Sequence, residues 1–134
     1  MANNLSIFDI SGRAMAAQLV RLNTTASNLA NAGSVSGSEA SAYRAMKPVF
    51  RTIMGEAGTA TVAVDQVTQA TSSPTKRHDP SHPLADKDGN VWEAAVDSAA
   101  ELVEMVETSR QYQNNVQVLS TAKGLISETL RLGQ

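Results

Sequence analysis

The chain has 134 residues, with 11 Lys+Arg against 13 Asp+Glu, a formal net charge of -2 and no Cys. That balance argues against a nucleic-acid binder held by a basic stripe, and the missing Cys excludes disulfides, thiolate catalysis and Cys-based metal sites. Hydrophobic residues make up 42% but aromatics only 4%, so burial is expected to rest on aliphatic helix seams.

No stretch approaches the roughly 18 apolar residues of a membrane helix. The start, Met1-Ala2-Asn3-Asn4, lacks the basic region of a secretory signal. All four prolines (Pro48, Pro74, Pro80, Pro83) fall in the middle of the chain. An interior proline costs a helix roughly 3 kcal/mol, so two terminal helices around a non-helical middle are expected. The divisions are 1–32, 33–96 and 97–134, with the two helices packing as one helical domain.

In the first segment, Leu5, Phe8, Gly12, Met15, Leu19, Leu22, Ala26 and Leu29 recur in alternating steps of three and four. This is the apolar stripe of a heptad helix. Ser6 with Asp9 suggests its start, and Asn31-Ala32-Gly33 its end. The middle reads as loop and strand. Residues 33–42 are small and polar, a flexible loop. Residues 43–54 and 59–68 are strand-like, with Val62 and Val64 alternating in the second. Asp86 to Asn90 is a turn before a short strand at Val91-Trp92.

In the last segment the stripe returns at Leu102, Met105, Ser109, Tyr112, Val116, Leu119, Lys123, Ile126 and Leu130. Ser98 with Glu101 fits a capping box. A second row, Val103, Val106, Val118, Leu125 and Leu132, widens the apolar face beyond a two-stranded seam. The fold class is therefore mainly α: long terminal heptad helices in an antiparallel coiled-coil-like pair, joined by a loop-rich middle with a few strands.

Paired within one chain, the stripes match in one register. Leu5 faces Leu130, Phe8 faces Ile126, Gly12 faces Lys123 and Met15 faces Leu119. Leu19 then meets Val116, Leu22 meets Tyr112, Ala26 meets Ser109 and Leu29 meets Met105. The lysine stem would lie across Gly12. A last helix of about 50 Å, however, outruns a body of roughly 30 Å. Contacts between chains are therefore favoured over a self-contained hairpin.

Motifs for chemistry are lacking. His78 and His82 are four apart, but prolines at 80 and 83 forbid the helix that would make them a metal pair. Asp86-Lys87-Asp88-Gly89 lacks the spacing of a calcium loop. There is no phosphate loop and no dinucleotide fingerprint. No enzyme activity, cofactor, metal or small-molecule substrate is expected.

Leu22-Asn23-Thr24-Thr25-Ala26-Ser27-Asn28-Leu29-Ala30-Asn31-Ala32 resembles the N-terminal signature of bacterial flagellar axial proteins, the rod, hook and hook-associated family. Further residues resemble the short proximal-rod members: Ser34 to Gly37, Tyr43-Arg44-Ala45, His82-Pro83-Leu84-Ala85-Asp86, Gly89 and Ser109-Arg110-Gln111-Tyr112. The resemblance runs in order over nearly the whole chain. It implies a structural subunit of the proximal rod, the drive shaft that crosses the periplasm and transmits torque from the ring to the hook. It also implies export without a cleaved signal peptide through the flagellar type III apparatus, and helical polymerisation. The implied partners are copies of itself, other rod proteins, membrane-embedded ring components and the export apparatus. A coiled-coil adaptor or secretion chaperone is the alternative, since heptads alone would serve it. A small metal-dependent hydrolase at the His78–Asp88 loop ranks third.

Overall fold

The computed structural model describes residues 2–55 and 58–133, with side chains from Ile7 onward. Two long helices flank a strand-containing middle. The order is α1 (Ala2–Asn31), β1 (Val35–Ser36), β2 (Met46–Met54), β3 (Ala60–Gln69), β4 (Thr75–His78), β5 (Asn90–Glu93) and α2 (Ser98–Leu132). The prolines lie outside both helices, as their missing N–H requires. No helix among the described residues is long and apolar enough to cross a membrane.

The helix starts differ from expectation. α1 already runs from Ala2, and Asp9 pairs instead with Arg13 one turn on, at 3.1 Å. α2 begins at Ser98, but its cap is Asp97. The Asp97 carboxylate accepts from the N–H groups of Ala99 and Ala100, at 3.0 and 3.1 Å. These are orphan donors of the first turn, and a carboxylate one residue outside the helix reaches them directly. The expected Ser98–Glu101 box therefore does not form, because Glu101 is engaged with α1.

In the middle, β2 and β3 form an antiparallel hairpin in which Val49 pairs Gln66 and Phe50 pairs Val64. Asp65 is the extra residue of this bulge, and it meets Arg51 at 3.0 Å. A second antiparallel sheet has the order β1-β5-β4. Both β1, inside the supposedly flexible 33–42 loop, and β4 go beyond the strands the sequence suggested. They are short edge pieces without alternating apolar residues, and β5 creates them by pairing on both sides. Ser38 and Ser41 bond to each other within that loop, at 2.7 Å.

The two sheets meet where Tyr43–Ala45 passes the approach to α2. Ala95 N–H donates to Tyr43 O at 2.8 Å, and Ala70 N–H donates to Ala45 O at 2.7 Å. Ala42, Ala45, Val91 and Ala95 are buried there. Their small volumes let the backbones approach closely, which explains how a core forms with so few rings.

The β4–β5 loop is held by its own backbone. Asp86 Oδ1 accepts from Asp88 N–H and Asn90 N–H, at 2.9 and 2.7 Å. The Asn90 N–H above all, with the bonds from Asp88 and the Asn90 side chain and the charge of Lys76, holds the Asp86 carboxyl below its ordinary value of 3.8. Gly89 has φ +76, and a Cβ there would stand 3.0 Å from Pro80 Cγ and 3.1 Å from His78 Cε1. Gly89→Ala is therefore expected to lower stability by about 1–3 kcal/mol, read as a lower unfolding midpoint. The depressed Asp86 value gives a signed pH dependence. Its stabilisation is complete above the ordinary value and fades as pH falls below it. Emission from Trp92, on the adjoining strand, should stay constant from neutral pH to about 5 and change only below about 4. In Asp86→Asn that acid step should shrink.

Candidate assembly surface

The end of α1, the start of α2 and the start of β2 meet on one side chain. Asn28 is only 1% exposed, and both its amide atoms are used. Its Nδ2 donates to Met46 O at 2.8 Å and to Glu101 Oε2 at 3.1 Å. Its Oδ1 accepts from Met46 N–H at 2.7 Å and from Tyr43 Oη at 3.1 Å. Glu101, 3% exposed, receives Lys47 Nζ on its other oxygen at 3.0 Å. A buried carboxylate needs such partners to offset its lost hydration. Beside this junction Arg21 pairs with Glu104 and lies 5.8 Å from the Phe50 ring centroid.

Further along, Gln18 Nε2 donates to Gln111 Oε1 at 2.8 Å. The helices thus run antiparallel: Gln18, Arg21 and Asn28 bond across to Gln111, Glu104 and Glu101, with Ser11, Thr25 and Thr108 in line with them and Ala17 beside them on α1. Among these Ser11, Thr25, Asn28, Glu101 and Thr108 are buried. This inner stripe is polar, and it lies one residue before the expected apolar stripe on each helix. One residue is about 100° of helix rotation, so the aliphatic stripe is turned to the flank.

Each expected position can now be placed. Leu5 lies outside the described side chains. Phe8, Met15, Leu22 and Leu29 are half-buried, as are Met105, Tyr112, Leu119 and Ile126. The alternate row is more open. Gly12 and Ser109 are partly covered, whereas Leu19, Ala26, Leu102, Val116, Lys123 and Leu130 are exposed. Leu19 and Val116, expected to face each other, are 46% and 45% exposed. Gln18 opposite Gln111 displaces α2 by about one and a half turns from the expected register. A Cβ on Gly12 would touch nothing within 4 Å, so no Lys123 stem lies across it. The second row is also exposed, at Val103, Val106, Val118, Leu125 and Leu132. The reason for these corrections is that apolar periodicity marks a face without naming what covers it.

The two histidines organise a loop. His82 Nδ1 accepts from Leu84 N–H at 3.1 Å, and His78 Nδ1 lies 3.3 Å from Asn90 Oδ1. Among the described residues, no group of three His, Asp or Glu is placed to hold a metal ion.

Comparison with known proteins bears on both helices. Residues 8–37 match the family model described as flagella basal body rod protein. Residues 87–132 match that for the C-terminal part of flagellar basal body rod FlgEFG proteins. The flagellar basal-body rod protein FlgC of Salmonella typhimurium (strain LT2) is 45% identical over 132 residues, covering 97% of this chain and 98% of the relative. The FlgC protein of Yersinia enterocolitica is 44% identical with the same coverage. That of Buchnera aphidicola subsp. Schizaphis graminum is 36% identical, again over 97% and 98%. The chain belongs to the FlgC family of flagellar basal-body rod proteins.

In this FlgC-family chain the two matched segments are α1 with β1, and β5 with α2. The motif residues serve different places in the fold. Asn28 and Tyr43 build the junction. Arg44 donates to Ser72 O at 3.3 Å, while Asp86, Gly89 and His82 shape the β4–β5 loop beside exposed Pro83. Asn31 bonds back to Ser27 O at 2.8 Å, and Leu29 packs on the flank. Asn23 and Arg110 are exposed, whereas Tyr112 is half-buried. Sequence reasoning missed Lys47, Arg21 and the inward role of Glu101. The available signal was a second three-and-four stripe, amide and basic on α1 and acidic on α2.

Asn28→Ala removes four hydrogen bonds and leaves Met46 N–H and a Glu101 oxygen short of a partner. A loss of about 1–3 kcal/mol is expected, measured by denaturant titration. Replacing His78 and His82 together with Ala should change stability by under about 1 kcal/mol, with swimming retained in cells that carry the variant.

Proposed function

We propose that this chain is a structural subunit of the proximal rod, built into a helical tube with copies of itself and other rod proteins through the exposed aliphatic rows of α1 and α2. One observation carries the reading. From the junction to Gln18 and Gln111 the intrachain seam is bridged by polar side chains, while Leu19, Leu102, Val106, Val116, Leu125 and Leu130 stay open to solvent. Aliphatic surface on that scale marks an interaction face. Burying it between subunits would supply the hydrophobic free energy of assembly, at roughly 25 cal/mol per Å² of apolar area.

On this reading, residues 1–32 and 97–134 act as one helical domain, with residues 33–96 as an outer body that adds contacts between subunits. Torque then passes through side-by-side helices, whose many weak contacts share the load. The family name places the subunit in the basal body. The ring components, the export apparatus, a path across the periplasm and an uncleaved N-terminus are the partners and route that this assembly requires.

Leu102→Glu combined with Val106→Glu tests the proposal. Both side chains are at least half exposed, so the folded chain should lose no more than about 1 kcal/mol. Cells carrying only this variant should be non-motile, and purified basal bodies should lack a complete rod. Normal swimming with the variant incorporated would refute the assignment of this face.

A further inference from the structure

Each helix carries two stripes of three-and-four spacing, offset by one residue. One is polar: Ser11, Gln18, Thr25 and Asn28 on α1, with Glu101, Thr108 and Gln111 on α2. The other is the aliphatic stripe. Rotating each helix by about 100° would exchange them. On hydrophobic grounds the aliphatic stripes should close on each other, yet the polar ones lie inside. That choice carries a visible cost, for Gln18 Oε1 is buried with no hydrogen-bond partner among the described residues.

We propose that the Asn28–Glu101–Lys47 junction is a register selector. It fixes which face each helix turns inward, and so keeps the aliphatic rows from pairing within one chain. The chemistry is specific. Asn28 Oδ1 and Nδ2 are matched to the N–H and C=O of Met46, at 2.7 and 2.8 Å. This ties the rotation of α1 to the backbone of β2. Glu101 is held between Asn28 Nδ2 and Lys47 Nζ, at 3.1 and 3.0 Å, which ties the rotation of α2 to the same strand. Turning either helix by one residue breaks these bonds and leaves buried polar groups unmatched. Single buried polar residues set the register of paired helices in this way, at a cost in stability. The inference concerns the folded single chain and stands apart from its place in a rod.

The natural chain has no Cys, so cysteine pairs with a short bismaleimide report the register of the purified full-length protein. Gln18→Cys with Gln111→Cys reads the polar seam, and Leu19→Cys with Tyr112→Cys, one residue on along each helix, reads the aliphatic pairing. On the otherwise unchanged chain the first pair should link at least about fivefold faster, a ratio that corresponds to roughly 1 kcal/mol. Adding Glu101→Leu, or the isosteric Asn28→Asp, which turns an acceptor toward Glu101 and Met46 O, should erase that preference while circular dichroism shows the helices retained. Glu101→Gln, which keeps the hydrogen bond to Asn28, should preserve it. Equal linking rates in the unchanged chain would overturn the proposal, as would an undiminished preference in a helical Glu101→Leu or Asn28→Asp variant. Loss of helix in both variants would also overturn it, because the junction would then hold the helices and not select between pairings.

Discussion

A carboxylate cannot be buried without partners, and the rest of this structure is arranged around that constraint at Glu101. Its two oxygens are met by Asn28 from α1 and Lys47 from β2. Asn28 in turn is fully occupied by the Met46 backbone and Tyr43. Three elements distant in sequence are thereby fixed to one another by directional bonds. An apolar contact at the same place would tolerate rotation and sliding. A charge-assisted network does not, because each misplaced group loses its partner at a cost of about 1–3 kcal/mol.

From that junction the consequences run outward along the helices. Polar residues continue inside as far as Gln18 and Gln111, and the aliphatic rows are turned to the flank. Among the described residues the buried apolar set is small: Ala17, Ala42, Ala45, Val91 and Ala95, with Pro74. A single chain built in this manner leaves much apolar surface exposed. In the assembly proposed above, the helices would complete their packing beside neighbouring subunits. The middle region follows a different principle. Its strands pair locally, and its long loop is shaped by backbone bonds to Asp86 and by the positive φ of Gly89.

The motif residues illustrate how one sequence signature serves several physical ends. Asn28 is structural in the strict sense of satisfying four bonds, whereas Asn23, five residues earlier, is exposed. Asp97 shows that a carboxylate placed one residue outside a helix serves as its cap, and this freed Glu101 to turn inward.

The sequence by itself determined the two helices, their approximate limits and strand-like runs at 43–54 and 59–68, which overlap the strands formed at 46–54 and 60–69. Proline placement, heptad spacing and β-branched alternation are local constraints that do not depend on what lies opposite. It also carried the family resemblance, whose motif included Asn28 and Tyr43. Only the tertiary structure decided which stripe faces inward, the register of α2 against α1, and the edge strands β1 and β4. Periodicity defines a face but is blind to its partner, and an apolar stripe reads alike whether a helix of the same chain or another molecule covers it. The polar stripe won the interior because Glu101, Lys47, Asn28 and the Met46 backbone satisfy one another only when brought together in three dimensions.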